Sequence, residues 1–484
     1  MIFKENVVEI KVWHHRRFQL DKALYRRDLL LLQYAFLSLR WALFPFLSLI
    51  TPFIPSLKKR KNFEGQNLKD SFSWPKGQSA DLAFEVSSEG EFEQVAPLLK
   101  VCLENGLKIE IFYASPSLEN KTYRFAEKWP GQVRCLRMPL LSCFPWPVLG
   151  GQNFFRMITA KKLVLCRYDF FPELLIYGQK ESVEFILASA TLKGKEQLLK
   201  REGAFFHYYF SGLFLLFDFI FTATEVDGEK FKKLGVEAEK VLPFDLRALQ
   251  IKDRVQNSER VLSQFSQMKC LKSFIEAHEE EKRVLMGSCW PQEMKVFSDP
   301  QLLEMISKKE FLFFLAPHKL NGEFLEELRD AFDSFKVKNL PLYFVDLRKE
   351  AEDWEVFFHK WNKEPGPVVL TTPAILLEMY RFFPNVFVGG GHGRSIHSVL
   401  EPFLAGAQVF CGPKTHRSTE FDLIQDISPK SIFIVHELRM FASILLKQFQ
   451  NVQSLNAREE FISLMSERFY VLLKYFGLRK EEKC

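Results

Sequence analysis

Short apolar, β-rich runs alternate with amphipathic stretches through most of this 484-residue chain. In the first half the runs are AFEVS (83–87), LKIEIFYAS (107–115), LVLCRYD (163–169), VEFILASA (183–190) and DFIFTAT (218–224). Helical periodicity fills the gaps, as from Glu91 to Asn105, where Gly106 supplies a C-cap. After a charged, strand-poor stretch near 250–282 the alternation restarts with RVLMGS (283–288), EFLFFLAP (310–317), PLYFVDL (341–347), PVVLTT (367–372), NVFVGGG (385–391), QVFCGP (408–413) and SIFIVHE (431–437). Strand and helix in alternation predict a parallel sheet covered on both faces. Two such units predict two doubly wound, Rossmann-like α/β domains with a cleft between them, at the C-terminal ends of the strands.

The expected boundaries are an N-terminal segment 1–62, a first α/β domain 63–250, a linker 251–282, a second α/β domain 283–455 and a C-terminal helical segment 456–484 that packs back across the cleft.

The first segment breaks the pattern. Leu29 to Pro55 is 27 residues long with one charge, Arg40, and is long enough to cross a bilayer. Against a span stand the cost of Arg40 near its middle, about 2.5–3.5 kcal/mol on insertion scales, and Pro45, Pro52 and Pro55, which are expected to break the helix. Basic clusters lie on both sides: Arg16, Arg17, Arg26 and Arg27 before, Lys58 to Lys61 after. An anchor lying in one leaflet, its cationic flanks on anionic headgroups, is the favoured reading over a span.

Charge sharpens this. Residues 1–62 carry 12 Lys and Arg against four Asp and Glu, so the net +6 of the chain sits at this end and the body is near −2. A nucleic-acid-binding body is excluded on that ground. The eight Cys form no CxxC pair, which indicates neither a disulfide framework nor a zinc site. No Asp-x-Asp pair occurs, so no metal is expected.

The candidate chemistry centres on Val388 to Pro402, VGGGHGRSIHSVLEP. Bare backbone at Gly389, Gly390 and Gly391, followed by a helix, would let a phosphate or sugar approach amides and a helix N-terminus. A turn needed only for close packing remains open on the glycines alone. A dinucleotide fingerprint is excluded, because the sixth position counted from Gly389 is Arg394 rather than glycine. His397 and Glu401, four residues apart, are expected on one helical face, where a carboxylate could hold both ribose hydroxyls.

That segment resembles the nucleotide-binding signature of the 3-deoxy-D-manno-octulosonic acid (Kdo) transferases, membrane-associated GT-B enzymes that attach Kdo from CMP-Kdo to a lipid A precursor. Other segments match in the same order over about 330 residues. Ser88-Glu89-Gly90-Glu91 resembles the family's Ser-x-Gly-Glu motif, Arg167-Tyr168-Asp169-Phe170-Phe171-Pro172 its acceptor-side segment, and Phe244-Asp245-Leu246-Arg247 its Gly-Asp-Thr-Arg segment. Gly287-Ser288-Cys289-Trp290-Pro291, Ala316-Pro317-His318-Lys319 and Gly412-Pro413 match motifs of the donor domain.

The resemblance implies a GT-B fold, an inverting transfer with CMP-Kdo as substrate, no cofactor or metal, a lipid A precursor as acceptor, and residence on the cytoplasmic face of the inner membrane. It implies Glu91 as general base, with a carboxylate that merely complements a helix N-terminus as the alternative. Ser288, Pro317, His318, Gly390, Gly391, Arg394, His397, Ser398, Glu401 and Arg247 fall on the donor side. Arg247 could equally be a structural bridge and Arg394 a surface cation. Ser88, Gly90, Arg167, Tyr168 and Asp169 fall on the acceptor side. The chain departs from the pattern at Thr371-Thr372-Pro373-Ala374, where the family has Asp-Thr-x-Gly, at Ser398 for Asn, at Asp169 for Glu and at Leu141 for Asp. A different nucleotide-sugar donor, or a non-catalytic relative, are the competing readings.

Overall fold

The computed structural model describes residues 18–69, 74, 78–167, 171–192, 212–335, 340–349, 354–448 and 455–478. Two seven-stranded sheets, parallel throughout, form two α/β domains in the GT-B arrangement. The first is built from β1 (Leu82–Val86), β2 (Ile109–Tyr113), β3 (Val133–Arg137), β4 (Lys162–Cys166), β5 (Glu184–Ala190), β6 (Phe219–Thr222) and β7 (Val241–Pro243), in the order β3-β2-β1-β4-β5-β6-β7. The second holds β8 (Arg283–Cys289), β9 (Leu312–Pro317), β10 (Tyr343–Val345), β11 (Val368–Leu370), β12 (Asn385–Val388), β13 (Gln408–Cys411) and β14 (Ile432–Ile434), in the order β10-β11-β9-β8-β12-β13-β14.

Every residue of β1, β2, β9 and β12 is buried, as expected of strands covered on both faces. The strand order reverses between β1 and β4 in one domain and between β8 and β12 in the other. Crevices for ligands open at these two points.

The pattern of apolar runs does not reveal β3 and β7. In β3 the sequence VRCLR carries two arginines, yet both are buried, Arg134 bonding Glu110 of β2 at 2.7 Å and Arg137 pairing with Glu119. A strand whose polar residues are paired internally leaves no apolar signature.

The stretch 251–282 is helical. It continues the helix Leu246–Gln256 into Ser258–Leu262 and Met268–Glu276, and Arg254 grips Glu378 of the second domain at 2.8 Å. The C-terminal helix Leu455–Tyr475 returns to the first domain: Lys162 bonds the Tyr475 carbonyl at 2.6 Å and the Tyr475 hydroxyl donates to Glu184 at 2.7 Å.

The N-terminal segment corrects one expectation. Pro45 lies inside an unbroken helix, Phe18–Ile50, and the break falls at the turn Thr51–Phe53, after which Pro55 opens the helix Pro55–Gly65. Gln33–Phe53 is apolar and long enough to cross a membrane. One stripe, Gln33, Leu37, Arg40, Phe44 and Thr51, faces the first domain. Within it Arg40 pairs with buried Glu173 on the helix Pro172–Glu181, and Phe44 stacks on Phe144 at 4.5 Å. Arg60, expected with its neighbours on anionic headgroups, instead turns inward to Glu64, the Ala114 carbonyl and the Met138 carbonyl. Glu64 in turn caps the backbone amides of Leu141 and Ser142, at 3.1 and 2.8 Å.

Candidate active site between the two domains

A cavity of about 300 Å³ opens between the domains. The first domain contributes Arg167, Ser189, Thr191, Ala223 and Arg247, and the second contributes 396–398 and 417–420. Of the residues singled out from sequence, Arg167, Arg247, His397 and Ser398 therefore meet in one space. Tyr168 and Asp169 lie outside the described residues.

Left-handed backbone recurs at the strand ends. Arg167, Ser189 and Ser288 have φ of 64°, 51° and 52°, although none is glycine. Ser189 and Ser288 sit at register shifts of β5 against β6 and of β8 against β9, bulges that turn the strand ends out of the ladder. The Ser189 hydroxyl accepts from the Leu246 amide at 3.1 Å, which seats the bridging helix Leu246–Gln256 beside the cavity.

Ser88, Gly90 and Glu91 sit at the end of β1, the strand next to the one that delivers Arg167, and do not line this cavity. Ser88 caps the helix Glu89–Glu104, its hydroxyl accepting from the Glu91 amide at 3.3 Å, while the Glu91 carboxylate accepts from the Ser87 amide at 2.7 Å. Burial pushes the Cys166 thiol up, and Glu91 adds to that while Arg167 opposes it, so all three share the end of β4. Gly90 has ordinary helical backbone and open space where a Cβ would stand. Neither conformation nor packing requires glycine there.

Arg247 is a bridge. Its guanidinium meets Asp245 (2.8 Å from Nε), Glu420 (2.8 Å) and the Thr419 hydroxyl (2.9 Å). Burial alone would raise the Asp245 carboxyl, but the Arg247 charge and bonds override it and hold Asp245 below its ordinary value. Glu420 passes the link on by accepting from the amides of Val399 and Leu400, at 2.9 and 3.2 Å, the first turn of the helix Leu400–Ala405. Arg167 and Arg417 face the same cavity from opposite domains and form no ion pair with another described residue.

On the donor side, two expectations are corrected. His397 is not on a helix with Glu401. After β12 the chain runs through turns, with Gly393 and Arg394 amides bonding the Gly390 carbonyl, and the helix begins only at Leu400. The Gly390 amide is also not available to a phosphate, because it donates to Glu293 Oε1 at 2.6 Å. The glycines serve close packing: a Cβ on Gly391 would fall 2.7 Å from Gly412 backbone, one on Gly389 would fall 2.3 Å from the Ser288 carbonyl, and Gly390 has φ of 102°.

Glu293 was not singled out from sequence. It is fully buried, holds both the Trp290 amide (2.9 Å) and Gly390, and ties β8 to β12 at their point of reversal. Burial pushes its carboxyl up to about 7. The Trp-Pro-x-Glu spacing was the available signal, a Glu reaching back over the first turn of the helical stretch Pro291–Ser298. Ser189, Thr191, Arg417, Thr419 and Glu420 left no comparable signal.

Trp290, His318 and His397 form a stack. Ring centroids lie 4.4 Å apart for Trp290 and His318 and 4.3 Å apart for His318 and His397. The Trp290 indole N–H donates to His397 Nε2 at 3.1 Å, and the Arg394 guanidinium lies 4.3 Å from the Trp290 ring centroid. Burial, with His318 beside it, lowers His397 to about 4. Pro317 ends β9 next to Cys289, and the His318 amide bonds the Cys289 carbonyl at 3.0 Å.

Glu401 stands in the first turn of its helix and makes no hydrogen bond or ion pair with another described residue. Burial first, then Glu420, pushes its carboxyl up to about 7. At the departure from the family pattern, Ala374 has φ of 63°, a left-handed backbone that favours glycine. Thr372 accepts from the Leu347 amide at 2.8 Å.

Residues 66–245 match the family model described as 3-deoxy-D-manno-octulosonic-acid transferase (kdotransferase). No curated protein matches the chain by sequence. Among solved structures, a glycosyltransferase from Rickettsia africae is 11% identical, with a TM-score of 0.51, covering 83% of this chain and 100% of that one. That likeness concerns the fold. The UDP-GlcNAc 2-epimerase of Methanocaldococcus jannaschii is 9% identical over 80% of this chain and 99% of its own, with a TM-score of 0.47. The C-terminal CMP-Kdo binding domain of WaaA from Acinetobacter baumannii is 14% identical, with a TM-score of 0.29, over 44% of this chain and 96% of that domain. Residues 66–245, which hold Glu91 and Arg167, are similar to the N-terminal domain of the Kdo transferases.

Proposed function

We propose that this protein is an inverting glycosyltransferase that moves Kdo from CMP-Kdo to a lipid A precursor, working from the cytoplasmic face of the inner membrane with Glu91 as general base. The observation that carries the reading is the position of Glu91: within the family match, at the end of β1, beside the point where the sheet order reverses.

In this reaction Glu91 takes the proton of the acceptor hydroxyl as its oxygen bonds the anomeric carbon, and the bond from that carbon to the CMP phosphate oxygen breaks. The leaving phosphate hardly needs a proton, so the site has chiefly to accommodate negative charge. Arg167 and Arg417 support this, as cations facing one cavity from both domains, suited to the phosphate and carboxylate of the donor. His397 and Ser398 add hydrogen-bonding groups on the nucleotide side. The open space at Gly90 suits close approach of the acceptor.

Purified full-length protein, CMP-Kdo and a lipid A precursor provide the test, read as CMP release and the mass of the glycolipid. Glu91→Gln keeps an oxygen to accept from the Ser87 amide and should lower kcat about 10²–10⁴-fold. No transfer by the wild type would remove the reaction, whereas full transfer by Glu91→Gln would remove only the base.

A further inference from the structure

The loop Phe144 to Gly150 carries an exposed apolar tip that no core explains. Trp146, Val148 and Leu149 are 60%, 62% and 49% exposed. Leu149 also holds φ of 58°, a conformation that costs an L residue energy, yet leaves about half of its side chain exposed.

The loop is nevertheless built firmly. Phe144 stacks on Phe44 of the N-terminal helix with the rings 8° from parallel, and Trp146 packs edge-on against Phe144 at 5.2 Å. At its base the Phe144 amide bonds the Gln152 carbonyl at 2.9 Å, and the Gln152 side chain bonds the Glu64 carbonyl at 2.7 Å. Any Cβ on Gly151 would fall 2.3 Å from the Trp146 carbonyl, so the loop closes tightly on itself. The tip is thus fastened to both N-terminal helices.

The adjoining N-terminal helix and the turn after it leave Leu39, Leu43, Phe46, Leu49 and Phe53 exposed. Lys58 and Lys59 are exposed on the next helix, and Lys61 lies against Gly150. Exposed apolar side chains on the loop and on the helix it packs against, with lysines nearby, are complementary to a bilayer with anionic headgroups, and an exposed tryptophan is suited to the interface.

We propose that the 144–150 loop is a second membrane-inserting element, which works with the N-terminal helix to fix how the first domain meets an anionic lipid surface. The inference rests on the membrane attachment proposed above. With two contacts rather than one, the domain is held in a defined orientation instead of swinging on a single helix.

The test is flotation of the full chain with phosphatidylethanolamine–phosphatidylglycerol vesicles, comparing wild type with the triple variant Trp146→Ser, Val148→Ser, Leu149→Ser. Loss of three inserted apolar side chains should lower partitioning about tenfold or more, with the melting temperature lowered by about a few degrees at most because all three are largely exposed. Brominated acyl chains should quench less of the fluorescence in Trp146→Phe than in wild type. Wild-type flotation that the triple variant retains in full, with no change in quenching, would overturn the loop's role alone. Absence of wild-type flotation would overturn the attachment on which it rests. A variant that loses self-association while keeping vesicle binding would make the patch a protein interface and also overturn the proposal.

Discussion

The Trp290 indole N–H donates to Nε2 of His397 over 3.1 Å, and that bond decides which nitrogen of the histidine carries the proton. With Nε2 accepting and the ring held neutral by a pKa of about 4, the proton sits on Nδ1 of a histidine that lines the interdomain cavity. In the proposed reaction His397 would therefore meet the sugar nucleotide as a neutral donor. Trp290→Phe keeps an aromatic ring against His318 but frees the tautomer, and KM for the sugar nucleotide should rise about 2–10-fold, with kcat less affected. Between pH 5.5 and 8, steady-state kinetics should show no inflection from His397. An unchanged KM would mean that the tautomer is fixed by something else.

Glu401 sets a second pH dependence, with a definite sign. Its folded pKa of about 7 stands above the ordinary value of 4.5, so between those limits the folded state holds a proton that the unfolded state has released. This group's contribution to stability is present below about pH 4.5 and is lost as the pH rises through 7. Glu401→Gln should therefore melt higher than wild type at pH 8 and at the same temperature near pH 4.5, while binding the nucleotide more weakly. Scanning calorimetry at the two pH values checks this; a lower melting temperature at pH 8 would mean that the ionised carboxylate has a stabilising partner.

Legibility in the sequence followed burial. Runs such as RVLMGS and NVFVGGG were readable because parallel strands are covered on both faces, whereas VRCLR was not, since its two arginines are hidden by Glu110 and Glu119. Spacing placed His397 and Glu401 on one helix, but the Gly390 carbonyl captures the next turn and delays the helix to Leu400. Glycine at 389 and 391 is required by local packing against Ser288 and Gly412, which the sequence reading had weighed only as the alternative to a phosphate site. Arg417 and Glu420 reach the cavity only because two domains close on each other, and no local pattern encodes that.

Ala374 carries a strain that glycine would relieve. At φ of 63° an alanine costs about 1–2 kcal/mol, partly offset by the greater freedom that glycine has in the unfolded chain. Ala374→Gly should therefore stabilise the protein by about 0.5–1 kcal/mol in urea unfolding, with transfer activity unchanged. Destabilisation would mean that the alanine methyl packs usefully.

Gly90 separates stability from function in the opposite way. Helical backbone and open space predict that Gly90→Ala is neutral or stabilising by up to about 1 kcal/mol. If the acceptor approaches the bare backbone there, the same change should raise the acceptor KM several-fold while leaving the donor KM alone. Parallel titrations of both substrates distinguish this, and an unchanged acceptor KM would remove Gly90 from the acceptor path.

Arg247 joins the domains through charges that are costly to strand. Asp245 is almost wholly buried and Glu420 mostly so, and Arg247 neutralises both while Glu420 holds the first turn of the Leu400–Ala405 helix. Removing only the cation leaves Asp245 buried and uncompensated. Arg247→Met should therefore cost about 3–5 kcal/mol in denaturant unfolding. Adding Asp245→Asn to that variant removes the stranded charge and should recover part of the loss, so the two changes will not be additive. Additive losses would mean that Arg247 stabilises through Glu420 and the second domain alone, and the bridge would then be an interdomain contact rather than a three-part unit.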